Sequence, residues 1–285
     1  MRFKEGGLMP DYLLITPVLN EQENIGKCIS SVISQTKLPV QWVIIDGGST
    51  DKTTEIITSF GYPWITVVSQ SSTALKRGHQ KFAMQMKEAY EYGKEISVEY
   101  IGKLDADCTI PPIFFETLIN ECEKDQALGA ASGQILNDDI PEIYPEDEMP
   151  DIRLYRKPAL EQIGGFPLAK YSPDTIILAK LRMNGWKVKV FPQVKISNMR
   201  KNQNNWKQAV TFGEARYYLG YSLLLFLLGC GYATRNNGIG FGIGLSYGYF
   251  RSVISRVNRI EDKLIYEYFH KTRLREVFKE QVCLL

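Results

Sequence analysis

Short apolar runs alternate with helix-spaced apolar residues along most of the chain. Tyr12-Leu-Leu-Ile-Thr16 is a run closed by Pro17, which predicts a buried strand ending there. Pro17 to Glu21 follows as a loop. Ile25, Cys28, Ile29, Val32 and Ile33 then fall on one helical face, entered from Glu23-Asn24. Trp42 to Asp46 predicts a second buried strand, broken by Gly47-Gly48. Ser49 or Thr50 can cap the next helix, with Asp51 in its positive first turn. Ile65 to Ser69 is a third strand, Ala74 to Tyr92 is helical, and Tyr100 to Leu104 is a fourth strand. Strands alternating with helices mean an α/β fold, a mostly parallel sheet with helices on both faces.

Pro111-Pro112 opens the next helix, with Phe114, Leu118 and Ile119 near one face and Cys122 extending it. Ala130 to Ile135 is a small-residue strand. Asp138 to Asp151 is acidic and proline-bearing, a loop with the character of a lid. Arg153 to Gly165 reads as a helix ending at a glycine pair. Asp174 stands at the start of a helix running to Asn184, before Gly185-Trp186, and Val188 to Phe191 is a further strand.

The tail changes character. No charge interrupts Tyr217 to Thr234, Arg235-Asn236-Asn237 breaks the run, and Gly238 to Phe250 is again uncharged but glycine-rich. A helix over the first segment would span about 27 Å, just short of a bilayer core of roughly 30 Å. Glycines weaken the second as a helix. Arg216 before the pair and Arg251 and Arg256 after it suit a hairpin entering and leaving on one side of a membrane, with Tyr217, Tyr218, Tyr221, Tyr232, Tyr247 and Tyr249 at headgroup depth. Helices packed on the preceding domain, or truly spanning helices, are the other placements. Residues 1–215 are thus expected to form the α/β domain and 216–285 an α-helical, membrane-associated tail.

Composition narrows the chemistry. Five scattered cysteines without a Cys-x-x-Cys pair argue against a disulfide framework or a zinc site and for a reducing cytosol. His79 and His270, the two histidines, leave little material for a histidine metal site or a Ser-His-Asp triad. A formal charge of +2 gives no argument for nucleic acid. Met1 to Pro10 has no apolar core of the kind a signal peptide needs. Gly-x-Gly-x-x-Gly and a P-loop are both missing, which disfavours a dinucleotide fold or an ATPase.

Carboxylates remain. Asp105 and Asp107, two residues apart, converge on one side of an extended backbone, and two hard oxygens suit Mg2+ or Mn2+ and hence a diphosphate. Ligands of parallel sheets sit off the carboxyl ends of the strands. Asn20 with Glu21, Asp46 with its Gly-Gly-Ser-Thr-Asp turn, and Asp105 with Asp107 all stand at such ends.

Thr16-Pro17-Val18-Leu19-Asn20-Glu21, Ile45-Asp46-Gly47-Gly48-Ser49-Thr50-Asp51 and Leu104-Asp105-Ala106-Asp107, in that order and spacing, resemble the nucleotide-sugar half of family 2 glycosyltransferases. The resemblance runs from about Tyr12 to beyond Trp186 and implies the GT-A fold, a Rossmann-like sheet. It implies that Pro17, Glu21 and Asp46 line the nucleobase and ribose pocket, that Asp105 contacts the nucleoside, and that Asp107 holds a divalent cation, Mn2+ or Mg2+, on the diphosphate. Lys76 and Arg77 occupy a basic, glycine-containing turn near the donor, and their plain reading is an exposed helix start. His79 is expected to pack or cap. Arg200, or Lys201, stands where relatives meet the leaving diphosphate.

In the resembling family a carboxylate before a helix ending in Gly-Trp serves as general base, which implies that role for Asp174; its plain reading is a helix cap. Pro173 departs from the usual acidic or aromatic neighbour, and Ile177-Leu178 stand where further acids are frequent.

The expected activity is inverting transfer from a UDP- or GDP-sugar to a hydroxyl acceptor. That acceptor is a glycan or a polyprenyl-linked one, met at the cytoplasmic face of a membrane through residues 217–250. The rivals are a sugar nucleotidyltransferase, which would carry a glycine-rich basic signature after the first strand, and a degenerate GT-A domain acting as a membrane-bound binding subunit.

Overall fold

The computed structural model describes residues 9–70, 79–135, 149–199 and 205–282. The chain divides into two compact units, Met1–Arg200 and Lys201–Leu285.

In the first unit the described strands are β1 (Tyr12–Val18), β2 (Gln41–Asp46), β3 (Ile65–Ser69), β4 (Tyr100–Lys103), β5 (Cys108–Thr109), β6 (Leu128–Ile135), β7 (Arg153–Arg156) and β8 (Lys187–Asn198). They form one sheet in the order β3-β2-β1-β4-β7-β6-β8-β5. The β3-β2-β1-β4 block is parallel, β6 and β8 are parallel to each other, and β7 runs antiparallel between β4 and β6. Helices α1 (Ile25–Ile33), α2 (Thr53–Ser59) and α4 (Phe114–Lys124) cover one face. Helices α3 (His79–Gly93), α5 (Lys157–Gln162) and α6 (Pro173–Met183) cover the other. Alternate residues of β1 feed the two layers: Tyr12 and Leu14 pack with Ile25, Ile29 and Phe115, while Leu13 and Ile15 pack with Met86, Ala89 and Leu160. A strand buried on both faces has no polar side to show, which is why it reads as an unbroken apolar run.

Three elements differ from the expectation. Pro17 does not end β1, which continues to Val18 opposite Ile45 and Asp46. The amide of Leu104 donates to Ile15 O, and that of Gly47 to Val18 O. Odd-numbered β1 residues therefore turn their backbone groups toward β4. Pairing with β4 stops at Ile15 and Lys103, so the missing N–H of Pro17 costs no ladder bond. Arg153 to Arg156 is a strand rather than the start of a helix; the helix begins at Lys157 with a proline in its first turn. β8 runs to Asn198 rather than Phe191, because the register jumps from Gly133 opposite Phe191 to Gln134 opposite Lys195 and the bulge takes up Pro192.

The second unit contains α7 (Trp206–Leu219), α8 (Leu223–Asn237), α9 (Ile239–Ile254), α10 (Lys263–Glu267), a π-helical turn (Tyr268–Thr272) and α11 (Arg273–Val282). Gly220, at φ 92°, stops α7, and Ser222 Oγ caps α8 by accepting from Leu225 N, so the uncharged stretch is split between two helices. No helix among the described residues is long and apolar enough to cross a membrane.

The glycines of 238–250 do not prevent a helix. A Cβ at Gly213 would run into Leu245 O, and one at Gly248 into Val210 O, so α7 and α9 approach backbone to backbone. Tertiary contact overrides propensity here. Tyr217, Tyr221 and Tyr249, expected at headgroup depth, are buried inside this unit. The Tyr249 ring stacks on Phe226 at 3.9 Å, and its hydroxyl donates to Tyr221 O at 2.9 Å. Tyr247 is exposed.

Candidate active site

The loop leaving β1 and the turn leaving β2 are stitched together. Asn20 N donates to Ser49 Oγ (3.0 Å), Thr50 N to Asn20 Oδ1 (2.8 Å), and Glu21 N to Thr53 Oγ1 (2.7 Å). Asn20 takes φ 56°, a left-handed conformation asparagine tolerates. Gln85 of α3 donates to both Val18 O and Ile45 O at 3.1 Å, tying the two strand ends from the side. Neither Ser49 nor Thr50 caps α2. The Ser49 hydroxyl is committed to Asp46, and the carboxylate of Asp51 accepts from Thr53 N at the helix start instead. Pro17, Glu21 and Asp46, the expected pocket residues, are all buried at this edge. Glu21 accepts from Asn24 Nδ2 at 3.0 Å.

Asp105 and Asp107 follow β4, but not as an extended strand. Cys108 N donates to Asp105 O at 3.1 Å, closing a turn. Both carboxylate residues are nevertheless half-buried while Ala106 between them is buried. β8 holds this turn, with Cys108 paired to Asn198 and Met199 N donating to Asp107 O at 2.8 Å. The Cys28 thiol beneath, 3.7 Å from Asp105 O, is pushed far up by burial and by the charges of Asp105, Asp107 and Glu21. Asp46 lies on the same carboxyl edge, two strands from β4, a separation of about 10 Å.

Asp174 is in the first turn of α6, after Ser172 at φ 47°. No side chain caps this helix. The Asp174 carboxylate turns instead to two cations: Oδ1 is 3.3 Å from Lys103 Nζ and 3.4 Å from Arg153 Nη1. The same Lys103 Nζ is 3.6 Å from Asp105 Oδ1. Two carboxylates from distant segments, the end of β4 and the start of α6, thus share one buried ammonium. Their side chains keep 29% and 16% of their surface exposed, so each still reaches solvent. Burial pushes the Asp105 carboxyl up to about 6 against the pull of Lys103. Burial and Asp151 raise that of Asp174, with Lys103 and Arg153 pulling it back.

Lys103, Arg153 and Asp151 carry no motif, and the sequence reading missed them. The signal available was a lysine inside the apolar run Tyr100 to Leu104: a buried cation requires buried anions nearby. Lys76, Arg77, Arg200 and Lys201 lie outside the described residues.

Among the described residues no group of three or more His, Cys, Asp or Glu side chains could by itself hold a metal ion. Among the described residues Asp105 Oδ1 is buried without a hydrogen-bond partner, and Asp107 is half-buried beside it. Such a pair fits a hard cation that takes its remaining oxygens from a diphosphate and water.

The profile for Glycosyl transferase family 2 matches residues 13–177, more than half of the chain. The chain is 26% identical over 115 residues to the uncharacterized glycosyltransferase YibD of Escherichia coli K12, and 29% identical over 122 residues to 4,4'-diaponeurosporenoate glycosyltransferase of Staphylococcus aureus. These matches take in 39% and 42% of this chain but only 30% of either relative. Among solved structures, the mannosyltransferase PcManGT of Pyrobaculum calidifontis, in complex with GDP-Man and Mn2+, superposes with a TM-score of 0.58 at 16% identity, over 86% of this chain and 76% of that one. S. aureus TarS 1–349 gives 0.56 at 14% identity, over 91% and 78%. The sheet is that of the GT-A fold, and the chain belongs to glycosyltransferase family 2.

Proposed function

We propose that this chain transfers a sugar from a nucleoside-diphosphate donor to a hydroxyl acceptor with inversion at the anomeric carbon. The observation that carries the reading is the meeting of Asp105 and Asp174 on Lys103 at the carboxyl edge of the sheet. Pro17, Glu21 and Asp46 receive the nucleoside, with Asp105 completing its contacts. Asp107 holds the divalent cation, which when bound offsets charge on the departing diphosphate. Lys76, Arg77 and Arg200 are the basic donor contacts in this reading.

Asp174 takes the proton of the acceptor hydroxyl. The acceptor oxygen forms its bond to the anomeric carbon as the bond to the diphosphate breaks, and that electron pair leaves on the diphosphate oxygen. Attack from the face opposite the leaving group gives inversion in one displacement.

The second unit is read as the membrane-contacting part. Leu223, Leu224, Leu227 and Leu228 stand exposed on α8, and Ile239, Ile243, Tyr247, Phe250 and Ile254 on α9, each set at helical spacing. Arg235, Arg251 and Arg256 are exposed on or beside the same helices. Apolar stripes with arginines suit a helix pair lying in the headgroup region of an anionic leaflet. A polyprenyl-linked or glycan acceptor at the cytoplasmic face of a membrane fits such contact.

The test is hydrolysis of a panel of UDP- and GDP-sugars by the purified chain with Mn2+. Release of sugar and nucleoside diphosphate is expected from at least one donor. Binding without release would favour a non-catalytic binding subunit, and synthesis of a sugar nucleotide from a sugar phosphate would favour the nucleotidyltransferase.

A further inference from the structure

Lys103 is fully buried in β4, and its ammonium lies 4.8 Å from the ring centre of Phe82 on α3. Among the described residues none of its N–H groups closes a hydrogen bond. It acts on Asp174 and Asp105 as a charge, at 3.3 and 3.6 Å. A methionine would fill similar volume without the desolvation of an ammonium, so packing alone does not account for a lysine here.

Arg153 approaches Asp174 too, but most of its donors are committed elsewhere. Nη2 donates to Met149 O (2.7 Å) and Asp151 Oδ1 (3.0 Å), Nε to Pro150 O (2.9 Å), and Nη1 to Tyr155 OH (3.3 Å). Arg153 anchors the chain entering β7, and its Nη1 also donates to Asp174 Oδ1 and to Asp174 O, both at 3.4 Å. Among the described residues, Lys103 forms its ion pairs with the two site carboxylates alone.

We propose that Lys103 is a positioning residue for the transfer: one buried ammonium holds the Asp174 carboxylate beside that of Asp105, and so aims the base at the donor side of the site. The proposal rests on Asp174 being the base. The groups facing Asp174 are Lys103 on β4, Asp105 after it, and Asp151, Arg153 and Tyr155 at β7. Asp151 is a like charge, so among the described residues loss of Lys103 leaves Asp174 with Arg153 as its remaining cation.

The test has a ligand-free arm and a kinetic arm. In the first, the Asp174 carboxyl is titrated by 13C NMR in the wild type and in Lys103→Met, with Lys103→Gln as the alternative should Met fail to fold. Removal of the ammonium is expected to move the Asp174 titration to higher pH; an unchanged titration overturns the proposal. In the second, kcat for Mn2+-dependent hydrolysis of the donor that the wild type turns over is measured for Lys103→Met, Asp174→Asn and the double variant. Lys103→Met is expected to lose about 10- to 100-fold, within the range one proton-transfer group commands. The double variant should fall within about threefold of Asp174→Asn alone, since coupled residues are not additive. Losses that multiply overturn the proposal, as does a Lys103→Met enzyme with wild-type kcat. An Asp174→Asn enzyme at wild-type rate removes the base assignment itself, a failure distinct from an unchanged titration in the NMR arm.

Discussion

Ser49 donates to the carboxylate of Asp46 twice, from its hydroxyl at 2.6 Å and from its amide at 3.0 Å. The same hydroxyl accepts from Asn20 N, so the ends of β1 and β2 share one polar hinge that fixes where Asp46 presents its remaining lone pairs. Ser49→Ala removes one charge-assisted hydrogen bond, which costs about 1.5–3 kcal/mol when buried. UDP or GDP should bind several-fold more weakly, and Asp46→Ala should lose at least tenfold. Isothermal titration with each nucleotide and Mn2+ checks both; equal affinities for wild type and Asp46→Ala would take Asp46 out of the nucleoside pocket.

Asp107 is expected to bind metal rather than sugar. Asp107→Ala should abolish the part of donor affinity that EDTA removes from the wild type, and leave the remainder. If the variant still gained affinity on adding Mn2+, the cation would have to sit on other residues.

The buried Asp105 gives a pH dependence with a definite sign. Burial pushes its carboxyl up to about 6 in the folded chain, above the ordinary aspartate value of about 3.9. Between these values the folded state holds more protons than the unfolded one, so stability falls as pH rises through that window and levels off above about 6. Asp105→Asn mimics the protonated form. Without metal or donor, its melting temperature relative to wild type should rise from pH 4 to pH 7. A difference that is flat or falls over that range contradicts a net cost of burying this carboxylate, Lys103 included.

In the helical unit, Gly248 meets the backbone of Val210 and Gly213 that of Leu245. Gly248→Ala forces α7 and α9 apart, and overpacking of this kind costs roughly 1–3 kcal/mol. Chemical denaturation should show that loss, whereas Gly240→Ala, which has open space around it, should be neutral or stabilising.

Membrane contact is tested by flotation with vesicles containing anionic lipid. Leu227→Glu together with Ile243→Glu changes two exposed positions, one on each helix. The wild type should float and the variant should stay in the dense fraction. Equal flotation would assign the exposed stripes to another role.

Legibility in the sequence followed burial. Tyr12 to Thr16 and Trp42 to Asp46 stood out because helices cover both faces of the sheet, leaving apolar runs with no alternation. Arg153 to Arg156 did not stand out, since four residues with an arginine at each end carry no strand signal until β4 and β6 flank them. Glycine propensity pointed away from α9, whose helix depends on the approach of α7. Asp46, Asp105 and Asp107 were legible at their strand ends, and Asp174 through the family resemblance of the helix start before Gly185-Trp186. Lys103 was not, because its meaning lies in Asp174, seventy-one positions further along, and only the folded sheet brings the two together.

The central claim is that Asp174 removes the acceptor proton. It is tested most directly by Asp174→Asn, assayed with saturating nucleotide sugar and Mn2+ beside a calorimetric measurement of donor affinity. Turnover is expected to fall by about 10²- to 10⁴-fold while the donor binds within about twofold of wild type. Near wild-type turnover by that variant, with the donor bound normally, would contradict it.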